Sequence, residues 1–131
     1  MDEKVTYWVE IAEYDLETAR AMLQTGRYLY VGFMCHQVIE KMLKAGCAAV
    51  RDDEPPYTHN LSRLASLSGL LESMNEEQKS LLDLLGPLNV QARYPASKAQ
   101  IGRTMTQRLC EDLVQRTAEM LEWIRQRLSS K

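Results

Sequence analysis

Residues 26–45 read GRYLYVGFMCHQVIEKMLKA, and how this stretch is read decides the fold. At about 100° per residue, Tyr30, Gln37, Glu40, Lys41 and Lys44 fall within roughly a quarter-turn of one another, and Arg51 extends the line. Most of the remaining positions are Val, Phe, Met, Cys, Ile, Leu or Ala. A helix that only fills a core has no need of so many hydrogen-bonding side chains in one stripe. A helix that only covers a surface has no need of apolar residues around most of its circumference. The stretch is therefore a largely buried helix with a polar seam, and the seam is either a contact surface or the wall of a site.

Working outward, residues 4–25 repeat apolar positions at Val5, Trp8/Val9, Ala12, Leu16, Ala19 and Leu23, with acids opposite. Gly26 is a natural C-terminal stop for that helix. The short link to Tyr28 joins two long helices and predicts an antiparallel hairpin. The second helix runs to about Arg51, where Asp52-Asp53-Glu54-Pro55-Pro56 breaks the ladder. A shorter helix is expected near Leu61 to Leu71. Asn75-Glu76-Glu77-Gln78 has the form of a capping box for a fourth helix that ends at Gly86-Pro87. Residues 87–103, PLNVQARYPASKAQIGR, have no steady period and read as a long connection. Thr104-Met105-Thr106-Gln107 can cap a final helix whose spine is Leu109/Cys110, Leu113/Val114, Leu121, Ile124 and Leu128. No strand-like alternation is present. The expected fold is all-α, a four- to five-helix up-and-down bundle forming one domain over residues 1–131.

Composition sets the outer bounds. A chain of 131 residues with 45% hydrophobic and 26% charged residues can bury a core without disulfides or metals. A net charge of −2 argues against a protein that coats nucleic acid by bulk electrostatics. Charge is uneven: residues 1–25 hold six acids and two bases, residues 93–131 eight bases and four acids. The terminal helices can pair through that asymmetry, and it also leaves room for a local basic patch. The acidic start MDEKVTYWVE lacks an apolar leader core, and no run approaches a membrane span, so a cytoplasmic location without membrane association is expected. Cys35, Cys47 and Cys110 sit in helical patterns without a C-x-x-C spacing, as buried thiols do.

Several constellations carry chemistry on paper. A bundle di-metal site needs Glu-x-x-His pairs, but neither His36 nor His59 follows a Glu by three, so no metal site is expected. Cys35 adjoins His36, yet neighbours on a helix point about 100° apart, against a catalytic pair. His36 and Glu40, spaced i, i+4, can hydrogen-bond along the helix. Tyr57-Thr58-His59-Asn60-Leu61 opens the third helix, and two readings stand: Thr58 or Asn60 caps it, or His59 stands beside an anionic ligand. In Ala92-Arg93-Tyr94-Pro95, Arg93 offers a fork for phosphate or carboxylate and Tyr94 a face for stacking on a base. Equally, Arg93 can pair with a surface acid while Tyr94 packs on the bundle.

Together these pieces resemble the HEPN family, helical domains found in higher eukaryotes and prokaryotes. The resemblance rests on Trp8 with Ala12, Asp15 and Ala19, then Gly26-Arg27-Tyr28. It continues through Phe33-x-Cys35-His36-Gln37-x-x-Glu40-Lys41-x-x-Lys44-Ala45 and Thr58-His59-Asn60-Leu61, and ends at Arg93-Tyr94-Pro95. It implies a bundle that dimerises and that is often encoded beside a minimal nucleotidyltransferase, in toxin–antitoxin-like pairs. The family also contains metal-independent ribonucleases, marked by Arg, four to six residues, then His. That mark is missing: no histidine follows Arg93, and Arg51 and His59 are separated by seven residues across the proline break.

The expectation is thus a non-catalytic nucleotide- and partner-binding module, a homodimer that needs no cofactor and takes an ATP- or AMP-like ligand. Gln37, Lys41, Lys44, Arg93 and Tyr94 would line the pocket, with Glu40, His36 and His59 in support. Lys41 and Lys44 would neutralise phosphate, and Glu40 would pair with Lys44 or Arg93. The alternative is a ribonuclease with a degenerate motif, in which His36 or His59 acts on RNA with Arg93.

Overall fold

The computed structural model describes residues 1–51, 54–93 and 103–129. Among the described residues the α-helices follow in the order α1 (Glu3–Gln24), α2 (Tyr28–Val50), α3 (Leu61–Leu67), α4 (Glu76–Leu85), α5 (Leu88–Arg93) and α6 (Gln107–Ser129). A 3₁₀ turn, Leu71–Ser73, lies between α3 and α4. No strand occurs among the described residues.

Each boundary has a local cause. Asp2 caps α1 by accepting from the Val5 N–H at 3.0 Å. At the other end Gly26 takes φ +75°, and Arg27 N–H reaches back to Met22 O at 2.8 Å while Gly26 N–H bonds Leu23 O at 3.3 Å. That pair of bonds is a Schellman closure, and only glycine adopts the left-handed step cheaply. Asn60 Oδ1 accepts from Arg63 N–H at 3.0 Å to start α3, and Thr58 Oγ1 accepts from Asn60 N–H at 3.1 Å. Asn75 and Gln78 form the expected capping box on α4. Thr106 Oγ1 accepts from Leu109 N–H at 3.2 Å and opens α6.

Two elements differ from the sequence reading. The third helix stops at Leu67 rather than Leu71, because Gly69 turns left-handed at φ +80° and the buried Ser68 hydroxyl donates to Ala65 O at 2.9 Å. Residues 88–93, read as connection, form α5. Pro87 fixes its own φ just ahead of the helix, and the Leu88 side chain packs against the core where α2 has Gly32 instead of a side chain.

Helix α2 is the central element and contacts every other α-helix. Val31, Cys35, Val38, Ile39, Met42, Leu43, Ala45 and Cys47 are fully buried in the core. Gly46 permits a close approach on that helix: a Cβ there would stand 2.8 Å from Leu70 Cδ1 and 3.0 Å from Ser68 Cβ. Helix α1 covers one flank of α2, α6 packs on both, and α3, α4 and α5 cover the rest. The polar stripe of α2 is left at the edges between α1, α5 and the 54–60 segment.

Candidate functional site

The seam resolves into three groups of contacts along α2, around Lys41, Glu40 and Gln37. At its centre Lys41 Nζ donates to the Asp15 carboxylate of α1. Asp15 is itself 8% exposed and lies on the apolar stripe of α1 with Ala12, Leu16 and Ala19. Beside Lys41, Glu40 is 3% exposed and works as a hub that reaches Lys44 one turn further along α2. Its Oε2 accepts from Lys44 Nζ at 3.1 Å, and its Oε1 lies 2.8 Å from His59 Nδ1 and 3.7 Å from His36 Nδ1. Lys44 Nζ also stands 5.6 Å from the centroid of the Trp8 ring. Toward the N-terminal end, Gln37 Nε2 donates to Asn89 Oδ1 of α5 at 3.3 Å, and Asn89 is buried.

These contacts decide the electrostatics of the wall. Two carboxylates removed from water need compensation, and two lysines supply it, Lys44 from one turn along the same helix as Glu40 and Lys41 from across the helix pair to Asp15. The four formal charges cancel within the cluster, so among the described residues the seam is a charge-matched ladder, not a row of open cations. A phosphate approaching Lys41 or Lys44 must compete with a desolvated carboxylate already in contact. Tyr30 stands at the exposed end of the stripe, Arg51 caps α2 at the other, and His36 is fully enclosed. His59 is different. It reaches Glu40 from the 54–60 side with 55% of its side chain still exposed.

The structure brings Gln37, Glu40, Lys41, Lys44, His36 and His59 into one seam. Glu40 pairs with Lys44, one of the two partners expected for it. Helix α5 docks on the seam through Asn89 and ends at Arg93, but the Arg93 side chain and Tyr94, two of the five residues of the expected pocket, lie outside the described residues. Asp15, Trp8 and Asn89 have no place in the pocket expected from the sequence, although Trp8 and Asp15 belong to the residues that carry the resemblance. For Asp15 a signal existed: it is the one acid at the apolar spacing of α1.

Other chemistry is constrained as well. Burial pushes the Cys35 thiol up to about 12, a rise the Thr117 hydroxyl partly opposes, and burial pushes Cys110 up to about 11. Cys47 is also raised by burial, against the pull of Arg51 and Lys44. All three therefore remain neutral thiols at physiological pH, without thiolate reactivity. Among the described residues no group of three or more His, Cys, Asp or Glu side chains could hold a metal ion. No described helix is long and apolar enough to cross a membrane.

Comparison with known proteins adds two findings. The profile of the HEPN domain family matches residues 5–127. The crystal structure of an archaeal HEPN homologue superposes with a TM-score of 0.76 at 22% identity, covering 97% of this chain and 99% of that one. No curated protein matches the chain.

Proposed function

The chain belongs to the HEPN family, and from that premise we propose that it is a non-catalytic module that binds a nucleotide and a protein partner, acting as a homodimer beside a minimal nucleotidyltransferase. The observation that carries this reading is the matched ladder on α2. Its charges are occupied in holding α1, α2 and the 54–60 segment together, which suits a stable recognition surface better than a reacting centre. The Gln37–Asn89 bond, at 3.3 Å, fastens to that surface the helix that ends at Arg93. In this proposal Arg93 grips phosphate bidentately and Tyr94 stacks on the base. Lys44 and His59 form the rim on the other side of Gln37.

The ribonuclease alternative lacks its histidine, since the last histidine of the chain is His59. It predicts cleavage of single-stranded RNA in the presence of a chelator, whereas the binding reading predicts intact RNA. Titration calorimetry with AMP and ATP is the direct test. Binding that Arg93→Ala weakens at least about tenfold, the value of a charged bidentate contact, is the expected result. Absence of heat with both nucleotides, together with unchanged capture of a co-expressed nucleotidyltransferase by Arg93→Ala, refutes it.

A further inference from the structure

His59 has a fixed hydrogen-bond polarity. Its Nδ1 faces Glu40 Oε1 at 2.8 Å, and Glu40, ion-paired to Lys44, can only accept. The hydrogen of a neutral imidazole must then sit on Nδ1, which leaves Nε2 as a bare acceptor on the opposite edge of the ring. That tautomer is set by a buried carboxylate on the most enclosed helix of the fold. The ring itself stays more than half exposed, with 55% of the side chain accessible.

This ring lines a cleft of about 330 Å³ between the start of α3 and the end of α4, with Asn60, Leu61, Ser62, Leu82, Asp83 and Gly86 around it. The size falls at the small end of ligand sites. Its chemistry is lopsided. Among the residues around it, the neutral His59 ring and the Asp83 carboxylate offer acceptors, the Ser62 hydroxyl serves either way, Asn60 keeps its amide N–H donors while its oxygen caps α3, and Leu61 and Leu82 are apolar. An anion would meet the Asp83 carboxylate, and the neutral ring protonated at Nδ1 has no hydrogen on Nε2 to offer it. A neutral group rich in O–H donors satisfies both acceptors at once.

We propose that this cleft binds a polyhydroxylated group, the sugar of a free saccharide or of a nucleoside, with His59 Nε2 and Asp83 accepting from its hydroxyls and Glu40 acting as the positioning residue. The site shares His59 with the rim of the nucleotide reading but makes no use of Arg93 and does not depend on it.

Nitrogen-15 NMR of the histidine rings in the full chain, recorded above the imidazole titration range, tests it. The free protein is expected to show His59 protonated at Nδ1 and bare at Nε2. Methyl riboside should displace the Nε2 resonance saturably, its 2,3-dideoxy analogue should not, and Asp83→Asn should weaken the effect at least about tenfold, as loss of a charged acceptor does. Adenosine binding much more tightly than methyl riboside identifies a nucleoside as the source of the sugar. Equal affinity identifies a free saccharide. An Nε2-protonated ring in the free protein, or no displacement by either riboside, overturns the proposal. Arg93→Ala separates it from the nucleotide reading, because that variant should lose AMP binding and keep the methyl riboside response.

Discussion

Replacing Lys44 with Met keeps a four-atom apolar stem and removes the ammonium that stands 3.1 Å from Glu40 and 5.6 Å from the centroid of the Trp8 ring. At an effective permittivity of about 20, two unit charges that close attract by roughly 5 kcal/mol. Not all of it is lost on substitution, because His59 still contacts Glu40 Oε1 at 2.8 Å and Lys44 keeps 12% of its side chain in water. Breaking a buried pair costs about 3–5 kcal/mol in general, so about 3 kcal/mol is the expectation here. Urea unfolding followed by circular dichroism should then show the midpoint falling by about 1.5 M, for a slope near 2 kcal/mol per M. Adding Glu40→Leu to Lys44→Met removes the stranded carboxylate as well. The double variant should therefore be more stable than the sum of the single losses by at least about 1 kcal/mol. A loss below about 0.5 kcal/mol for Lys44→Met is what an exposed surface pair would give, and it would refute the buried hub. Additivity of the two changes would refute it equally.

Two further outcomes follow from the core. Cys35 has its ionisation raised from 9.0 to about 12 on folding, so the folded state holds a proton that the unfolded chain releases. Stability from this thiol is complete below about pH 9 and is lost as pH rises toward 12, by about 1.4 kcal/mol per pH unit. Cys35→Ala should flatten that alkaline slope in unfolding curves taken between those limits, and an unchanged slope would show that the thiol is not enclosed. Gly46→Ala should lower the melting temperature by several degrees. The gain in helix propensity of about 1 kcal/mol is outweighed by a Cβ at 3.0 Å from Ser68, which is held in place by bonds to Ala65 O and from Leu70 N–H. A raised melting temperature would mean that the Ser68 turn yields freely.

Much of this architecture can be read from periodicity and punctuation. The apolar spacing of residues 4–25 and 109–128, the glycine at 26, the proline pair at 55–56 and the Asn75–Gln78 box are local signals; burial realises the first, and local hydrogen bonds the glycine closure and the capping box. Helix α5 escaped because six residues are too few to show a period. It is docked by residues distant in sequence, with Asn89 bonded to Gln37, 52 positions away, and Leu88 packed at Gly32. The Arg93–Tyr94 arm of the expected pocket falls on side chains outside the described residues, so the convergence of that arm with the seam rests on the calorimetric test.

What spacing could not separate is a polar stripe that waits for a ligand from one that is already satisfied. The distinction lies in a second helix. A stripe on a mostly buried helix must find compensation nearby, because uncompensated charge in such a position costs several kcal/mol. Asp15 provides it for Lys41, and Glu40 provides it for Lys44 from the same helix. An acid at an apolar position of the neighbouring helix, here Asp15 between Ala12 and Ala19, therefore argues for matching and against an open cationic wall. Recognition then moves to the groups the ladder supports but does not consume. His59 is one such group: its inner nitrogen belongs to the ladder, and its outer nitrogen faces away from it.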